Sequence, residues 1–198
     1  PVNLDHNDTV ADSPTNNFAT WNSIFTHGST YAATLSDGNL TMTKSGGGQG
    51  GYISTIGATT GKHYAEITVK ALGFTRIGVV ADANLNAVGT SEYPIGNSAN
   101  SVSYTSDTGN VITNSSGSAY GSSYAAGDVI SIAFDADTGK VWFAKNGTWQ
   151  NSGDPVAGTN PATTLSTGNP FFFGVAGENG FTIEANFGQQ PFKYDPPA

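Results

Sequence analysis

The chain has 198 residues, 15 acidic against 7 basic side chains, a formal net charge of −8 and no cysteine. Disulfides and thiolate chemistry are therefore excluded, and an acidic surface without clustered Lys and Arg disfavours nucleic acid. The length suits one domain that buries its own core, and no apolar run approaches a membrane span.

Residues 1–30 lack sustained periodicity. Asp5, Asp8, Asp12 and Pro14 suit turns, while Phe18, Trp21, Ile24 and Phe25 are apolar enough to pin the segment onto a sheet. The reading is an N-terminal arm over 1–30 packed on a single domain over 31–198. No signal peptide is visible, and Pro1 without an initiator Met suggests a processed chain or a piece of a longer one.

Short strands at 32–35 and 40–43 flank Asp37-Gly38, a pair suited to a tight hairpin turn. The glycine-rich run 45–51 lacks the Lys-Ser/Thr and the helix of a phosphate cradle and reads as a surface loop. In 62–70, His63, Ala65, Ile67 and Val69 share one face, while Lys62, Tyr64, Glu66 and Thr68 share the solvent face. With 76–81 this strand is expected to form a hairpin, and His63 reads as a core histidine.

The segment 82–100 is a long loop broken by Gly89, Pro94 and Gly96. Strands at 101–105 and 111–113 flank a turn at 107–110, and 115–127 is another loop. The clearest element is 128–147. Ile130, Ile132 and Phe134 alternate with polar or small residues, a turn follows at 136–139, and Val141 and Phe143 alternate until Asn146-Gly147. Alternation on both sides of a Gly-containing turn predicts an antiparallel hairpin within a larger sheet. Trp142 points outward in this pattern, and the N-terminal arm is expected to cover it. The polar run 150–170 precedes a last predicted hairpin, 171–176 with 181–187. No helix of three turns is expected. Many short strands with glycine turns select an all-β fold, a two-sheet antiparallel β-sandwich.

Four stretches carry a resemblance: GKHYAEITV (61–69) with RIGVV (76–80), YGSSYAAGDVISIAFD (120–135), TGKVWFAKNG (138–147) and NFGQQPFKY (186–194). In this order they resemble the SPRY domain family, whose fold is a bent, concanavalin-like or jelly-roll-like β-sandwich. Residues 12–18 (DSPTNNF), 35–41 and 149–161 are similar to the variant found in bacteriophage and prophage structural proteins. The resemblance implies a non-catalytic module that binds peptides or proteins through loops. Its peptide pocket maps onto Ala81-Asp82, Tyr93 and Ala176-Gly177, where the family's Trp is missing. Loss of that aromatic anchor argues against the same ligand class.

Catalytic groups are not evident. His6, His27 and His63 have no metal spacing, and Asp135, Asp137 and Thr138 match only a fragment of a calcium loop. The expectation is no enzyme, no metal and no cofactor. A glycoside hydrolase is a remote alternative through Glu66, Glu178 and Glu184, which needs two carboxylates across a cleft. Two binding roles remain. One is a phage virion module of a tail fibre, baseplate or capsid decoration, contacting neighbouring virion proteins or a host surface. The other is a carbohydrate-binding module for surface glycans.

The candidate ligand-binding residues are Asp82, Tyr93, Asn97, Tyr124, Trp149 and Asp154. They lie in or beside the loops 82–100, 115–127 and 150–170, which are expected to gather at one end. There the rings of Tyr93, Tyr124 and Trp149 would make an aromatic floor, with Asn97 and Asp154 at its rim. The isolated chain is expected to be monomeric or weakly associated and not inserted in a membrane. The virion is its expected location.

Overall fold

A computed structural model describes residues 17–25, 33–81 and 95–197. The chain is an all-β sandwich of two antiparallel sheets, and its described helical content is a single 3-10 turn, Gln150–Ser152. The strands, in chain order, are β1 (Thr34–Ser36), β2 (Thr41–Lys44), β3 (Gln49–Ile53), β4 (Lys62–Ala71) and β5 (Phe74–Ala81). Next come β6 (Ser101–Thr105), β7 (Asn110–Thr113), β8 (Ser116–Ala119), β9 (Val129–Asp135) and β10 (Lys140–Lys145). The last four are β11 (Thr148–Trp149), β12 (Thr163–Thr164), β13 (Phe171–Glu178) and β14 (Phe181–Asn186). The larger sheet runs β1-β2-β14-β4-β9-β10-β11, with β12 also on β10, and the smaller runs β3-β13-β5-β6-β7-β8.

The hairpin at 128–147 forms as expected: β9 and β10 pair from Lys140↔Asp135 to Lys145↔Ile130. Ile130, Ile132, Phe134, Val141 and Phe143 point into the core, facing Val79, Val102, Tyr104 and Phe173 of the smaller sheet. Period-two alternation thus supplies the apolar layer between two sheets. The β1–β2 and β6–β7 hairpins also form.

Two expected hairpins do not. β4 lies in the larger sheet and β5 in the smaller, and the same split separates β14 from β13. In each case the two strands, consecutive in the chain, lie in opposite sheets instead of pairing side by side. Their inward alternation is the same in either arrangement, so the pattern does not distinguish them. Between β4 and β5 the chain changes sheet at Gly73, where an added Cβ would lie 2.2 Å from the Glu178 carbonyl oxygen. Only glycine fits that crossing.

Of the N-terminal arm, 17–25 falls within the described residues. Trp21 is fully buried: its indole N–H donates to the Leu40 carbonyl at 3.0 Å, and its ring meets Phe187 edge-on at 5.1 Å. Trp21 also bridges to Ser54 beyond the end of β3. Among the described residues no helix is long and apolar enough to cross a membrane.

Candidate functional site

The polar side chains nearest the family-like stretches are tied to backbone. Gly127 takes φ +94° and delivers Asp128 to the start of β9. Asp128 Oδ2 accepts the Ala125 N–H at 2.8 Å and sits 3.1 Å from Lys145 Nζ, while Oδ1 accepts from Asn146 Nδ2 at 2.7 Å. Partial burial pushes the Asp128 carboxyl up, but these hydrogen bonds and the Lys145 charge outweigh it and hold it below its ordinary range. Asp135 Oδ1 accepts from the Asp137 and Thr138 N–H groups, so it caps its own turn. His63 stacks on Phe134 at 4.9 Å and donates Nε2–H to the Thr60 carbonyl at 2.8 Å.

Glu66 departs from the sequence reading. It was expected on a solvent face, yet it is 4% exposed on the outer side of the larger sheet. Its carboxylate accepts the backbone N–H groups of Lys193 and Tyr194, each at 2.8 Å, and the Tyr64 hydroxyl at 3.0 Å. Phe192 packs edge-on against Tyr64 at 4.8 Å. The C-terminal segment therefore lies across this face and seals the carboxylate. Glu184, on the neighbouring strand β14, pairs with Lys70 at 2.6 Å. Glu66 and Glu184 share one sheet face, so they do not flank a cleft as paired glycosidase carboxylates do.

The registers define two ends of the sandwich. The chain leaves β5 at Ala81, turns between β7 and β8, and turns at 136–139 at the first end, where Asn100 Oδ1 accepts the Ser166 N–H at 2.7 Å. At the second end Ser122 N–H donates to Gln150 Oε1 at 3.0 Å, and Lys145 Nζ donates to the Ser123 carbonyl at 2.8 Å. The described parts of the three long loops do not converge. The loop after β8 stays at the second end, 150–170 runs from the second end to the first, and the residues after 94 cover the outer face of the smaller sheet.

The four candidate residues that fall within the described part of the chain are dispersed. Asp82 and Tyr93 lie outside the described residues. Asn97 is half-buried on the smaller sheet's outer face, where its Oδ1 accepts from Arg76 Nη1 at 2.7 Å. Tyr124 is 2% exposed: its ring packs 5.3 Å from Tyr104, and its hydroxyl lies 3.1 Å from the Thr75 and Tyr104 carbonyls. It belongs to the core, and the expected floor has no Tyr124 face to offer. Trp149 is half-buried on β11 at the second end. Asp154 is exposed in the 150–162 loop, where its Oδ1 accepts the Val156 and Ala157 N–H groups.

That loop, and not the described part of the arm, covers Trp142. The Trp142 indole N–H donates to the Thr159 carbonyl at 2.8 Å, and Gly153 packs beside the ring. Between the loop and the C-terminal segment a cavity of about 130 Å³ remains, walled by Tyr64, Trp142, Pro155 and Pro197, with Lys62 and Asp135 at its edge. A second cavity, about 180 Å³, lies among Phe18, Ala58, Phe171 and Phe187 at the first end. Among the described residues no three His, Asp or Glu side chains gather as a metal site. At the positions that the family resemblance assigns to a peptide pocket, Ala81 and Ala176 are both fully buried. Ile95 packs with Ala176, Val80 and Ile53 on that outer face, filling it with the chain's own side chains.

Sequence reasoning missed Glu66 as a buried clamp and Gln150 as the link between two loops. No local sequence signal marked either, since each role depends on a segment distant in the chain.

The SPRY domain family model matches residues 62–190. Among solved structures, the SPRY domain of human HERC1 superposes with a TM-score of 0.61 at 18% identity, covering 80% of this chain and 94% of that one. A second human SPRY domain gives 0.60 at 18% identity, covering 80% of this chain and 97% of that one. At this identity the likeness carries the fold.

Proposed function

This chain belongs to the SPRY domain family, and from that premise we propose that it is a non-catalytic interaction module whose exposed loops engage a protein partner. One observation carries the reading. The polar groups best placed for chemistry, Glu66, Asp128 and Asp135, are consumed by backbone N–H donors of the fold itself. That leaves loop surface for recognition, the usual division of labour on a rigid sandwich. The contact surface we favour centres on Trp149, half-buried beside the exposed turn Asn146-Gly147, because a partly exposed indole anchors protein interfaces well. Asp154 and Asn97, which lie apart, are assigned to separate contacts, and Asp82 and Tyr93 stay proposed as ligand-binding residues.

The finer reading is a phage virion component, a tail fibre, baseplate or capsid-decoration module that touches neighbouring virion proteins or the host surface. It is supported by the resemblance of 12–18, 35–41 and 149–161 to phage structural proteins. The test is capture of a partner from virion proteins or from a susceptible host's envelope, followed by Trp149→Ala. Binding weakened by about tenfold or more, with Tm lowered by no more than about 4 °C, supports the reading. Unchanged binding sinks the Trp149 surface.

Glycan binding is the second reading, favoured by the cavity whose walls include Tyr64 and Trp142 and whose edge carries Lys62 and Asp135. A glycan array with Lys62→Ala as the comparison distinguishes it. Specific glycan binding that survives Trp149→Ala and falls with Lys62→Ala supports the glycan reading over the protein one.

A further inference from the structure

β8 ends the smaller sheet, and all four of its residues, Ser116-Gly117-Ser118-Ala119, are exposed. It is held on one side by β7, through Asn110↔Ala119, Val111↔Ser118, Ile112↔Gly117 and Thr113↔Ser116. The connecting pair, Asn114 and Ser115, has φ +52° and +60°, a two-residue turn of the primed kind. Such a turn makes Thr113↔Ser116 a hydrogen-bonded pair, and alternation then makes Val111↔Ser118 the next one. The N–H and C=O groups of Gly117 and Ala119 consequently point away from β7. Among the described residues no backbone or side-chain group bonds to them.

Unpaired edges are usually blunted by Lys, Pro, a bulge or a covering segment. The β10 edge of the larger sheet is capped by β11 and β12, and the end of β3 takes the Asn22 N–H on its Ile53 carbonyl. Among the described residues β8 has none of these devices. No charge lies within it, its side chains are too small to obstruct an incoming backbone, and both of its faces are clear of the second sheet.

We propose that β8 is a self-pairing edge, on which the β8 of a second copy docks antiparallel about a two-fold axis through Ser118. The unpaired groups are self-complementary in that register. Gly117 of each copy exchanges both backbone hydrogen bonds with Ala119 of the other, and Ser118 meets its own counterpart as a non-hydrogen-bonded pair. The contact is isologous and closes on itself. A four-residue strand buries little area, so the contact is weak in isolation and gains strength where copies are held together. This inference stands apart from the Trp149 reading.

The absence of cysteine makes the test clean. In the proposed pair the two Ser118 Cα atoms lie about 4.5 Å apart, within the span of a disulfide. Ser118→Cys is compared under mild oxidation with Thr138→Cys, an exposed position on the other sheet. The expected result is a covalent dimer forming at least about tenfold faster for Ser118→Cys. In parallel, sedimentation of the unmodified chain should show a concentration-dependent dimer that Ser118→Lys abolishes, because two ammonium groups then face each other at the axis. Equal oxidation rates, a chain that stays monomeric at millimolar concentration, or undiminished dimer in Ser118→Lys would each overturn the proposal.

Discussion

Asp128 Oδ1 accepts a hydrogen bond from Asn146 Nδ2 at 2.7 Å, joining the start of β9 to the turn that ends β10. The same Asn146 side chain uses Oδ1 to accept the Val129 N–H at 2.9 Å, and Asn146 itself holds φ +49°. The Gly-Asp and Asn-Gly stretches are thus two halves of one clamp at the open end of the hairpin. Asn146→Ala removes an acceptor, a donor and a residue that tolerates positive φ, so a loss of about 2 kcal/mol is expected. Asp128→Ala should cost a similar amount, and the double variant less than the sum, because the partners are shared. Urea unfolding of the four proteins in this cycle measures it.

Acid should act on the same clamp. The Asp128 carboxyl is held below its ordinary range in the folded chain, so its contribution is present above the unfolded value near 3.8 and is lost as pH falls through the lower folded value. Melting of the parent chain should therefore fall more steeply below about pH 4 than that of Asp128→Asn. Parallel slopes for the two proteins would remove Asp128 from the account.

Glu66 predicts a different phenotype. Glu66→Ala strands two backbone N–H groups at Lys193 and Tyr194 and the Tyr64 hydroxyl, a loss of about 2–3 kcal/mol. Cleavage after Lys193 by trypsin should accelerate at concentrations where the sandwich remains folded. Glu66→Gln keeps one acceptor oxygen and should fall between the two. If tryptic release of the tail is unchanged in Glu66→Ala, the carboxylate is not what holds it.

The sandwich was legible because its inward residues alternate, as Ile130, Ile132 and Phe134 do on β9. The choice of sheet for β4 and β5 was not, since strands in opposite sheets and paired strands present the same alternation. β8 left no trace because Ser-Gly-Ser-Ala has no apolar face. Glu66 looks like any outward carboxylate until a segment 127 residues away brings its N–H groups to it. Trp142 likewise obeys its outward pattern and is buried by a polar loop whose Thr159 carbonyl takes its N–H. Of the candidate residues, Trp149 is half-buried and Asp154 exposed, whereas Tyr124, in a loop rich in Ser and Gly, is core. Loop membership does not report burial.

Tyr124 and Trp149 should consequently behave oppositely on truncation. Tyr124→Ala opens a cavity beside Tyr104 and strands the Thr75 hydroxyl, so a loss of about 3–5 kcal/mol is expected. Tyr124→Phe, which removes the hydroxyl alone, should cost about 1–2 kcal/mol. Trp149→Ala, at the edge of the larger sheet, should cost about 1 kcal/mol. Chemical denaturation of the three variants tests the order, and a larger loss at Trp149 than at Tyr124 would contradict the burial described.

Alkaline pH supplies the last prediction. Burial pushes Tyr104 up, with the charges of Tyr120 and Asp128 adding to it. Burial pushes Tyr124 up, against a hydrogen bond from Thr75 and with Tyr104 and Asp107 adding to it, and burial pushes Tyr120 up to about 12. Burial also raises Tyr64, reinforced by Glu66, although the Ser131 hydrogen bond pulls the other way. The neutral phenol is thus the form the fold accepts. A folded value above the unfolded 10.0 means that the stabilisation is complete below pH 10 and is lost as pH rises towards the folded values. The phenolate absorbance contributed by Tyr64, Tyr104, Tyr120 and Tyr124 should accordingly appear well above pH 10 and only together with loss of the β-sheet circular dichroism. Tyr120→Phe removes one of these groups but also the hydroxyl that accepts the Phe143 N–H at 3.1 Å. It should therefore be less stable at neutral pH yet lose less of its stability between pH 9 and 12. A single absorbance transition centred near 10, with the sheet signal intact, would show the four rings to be open to solvent and defeat the prediction.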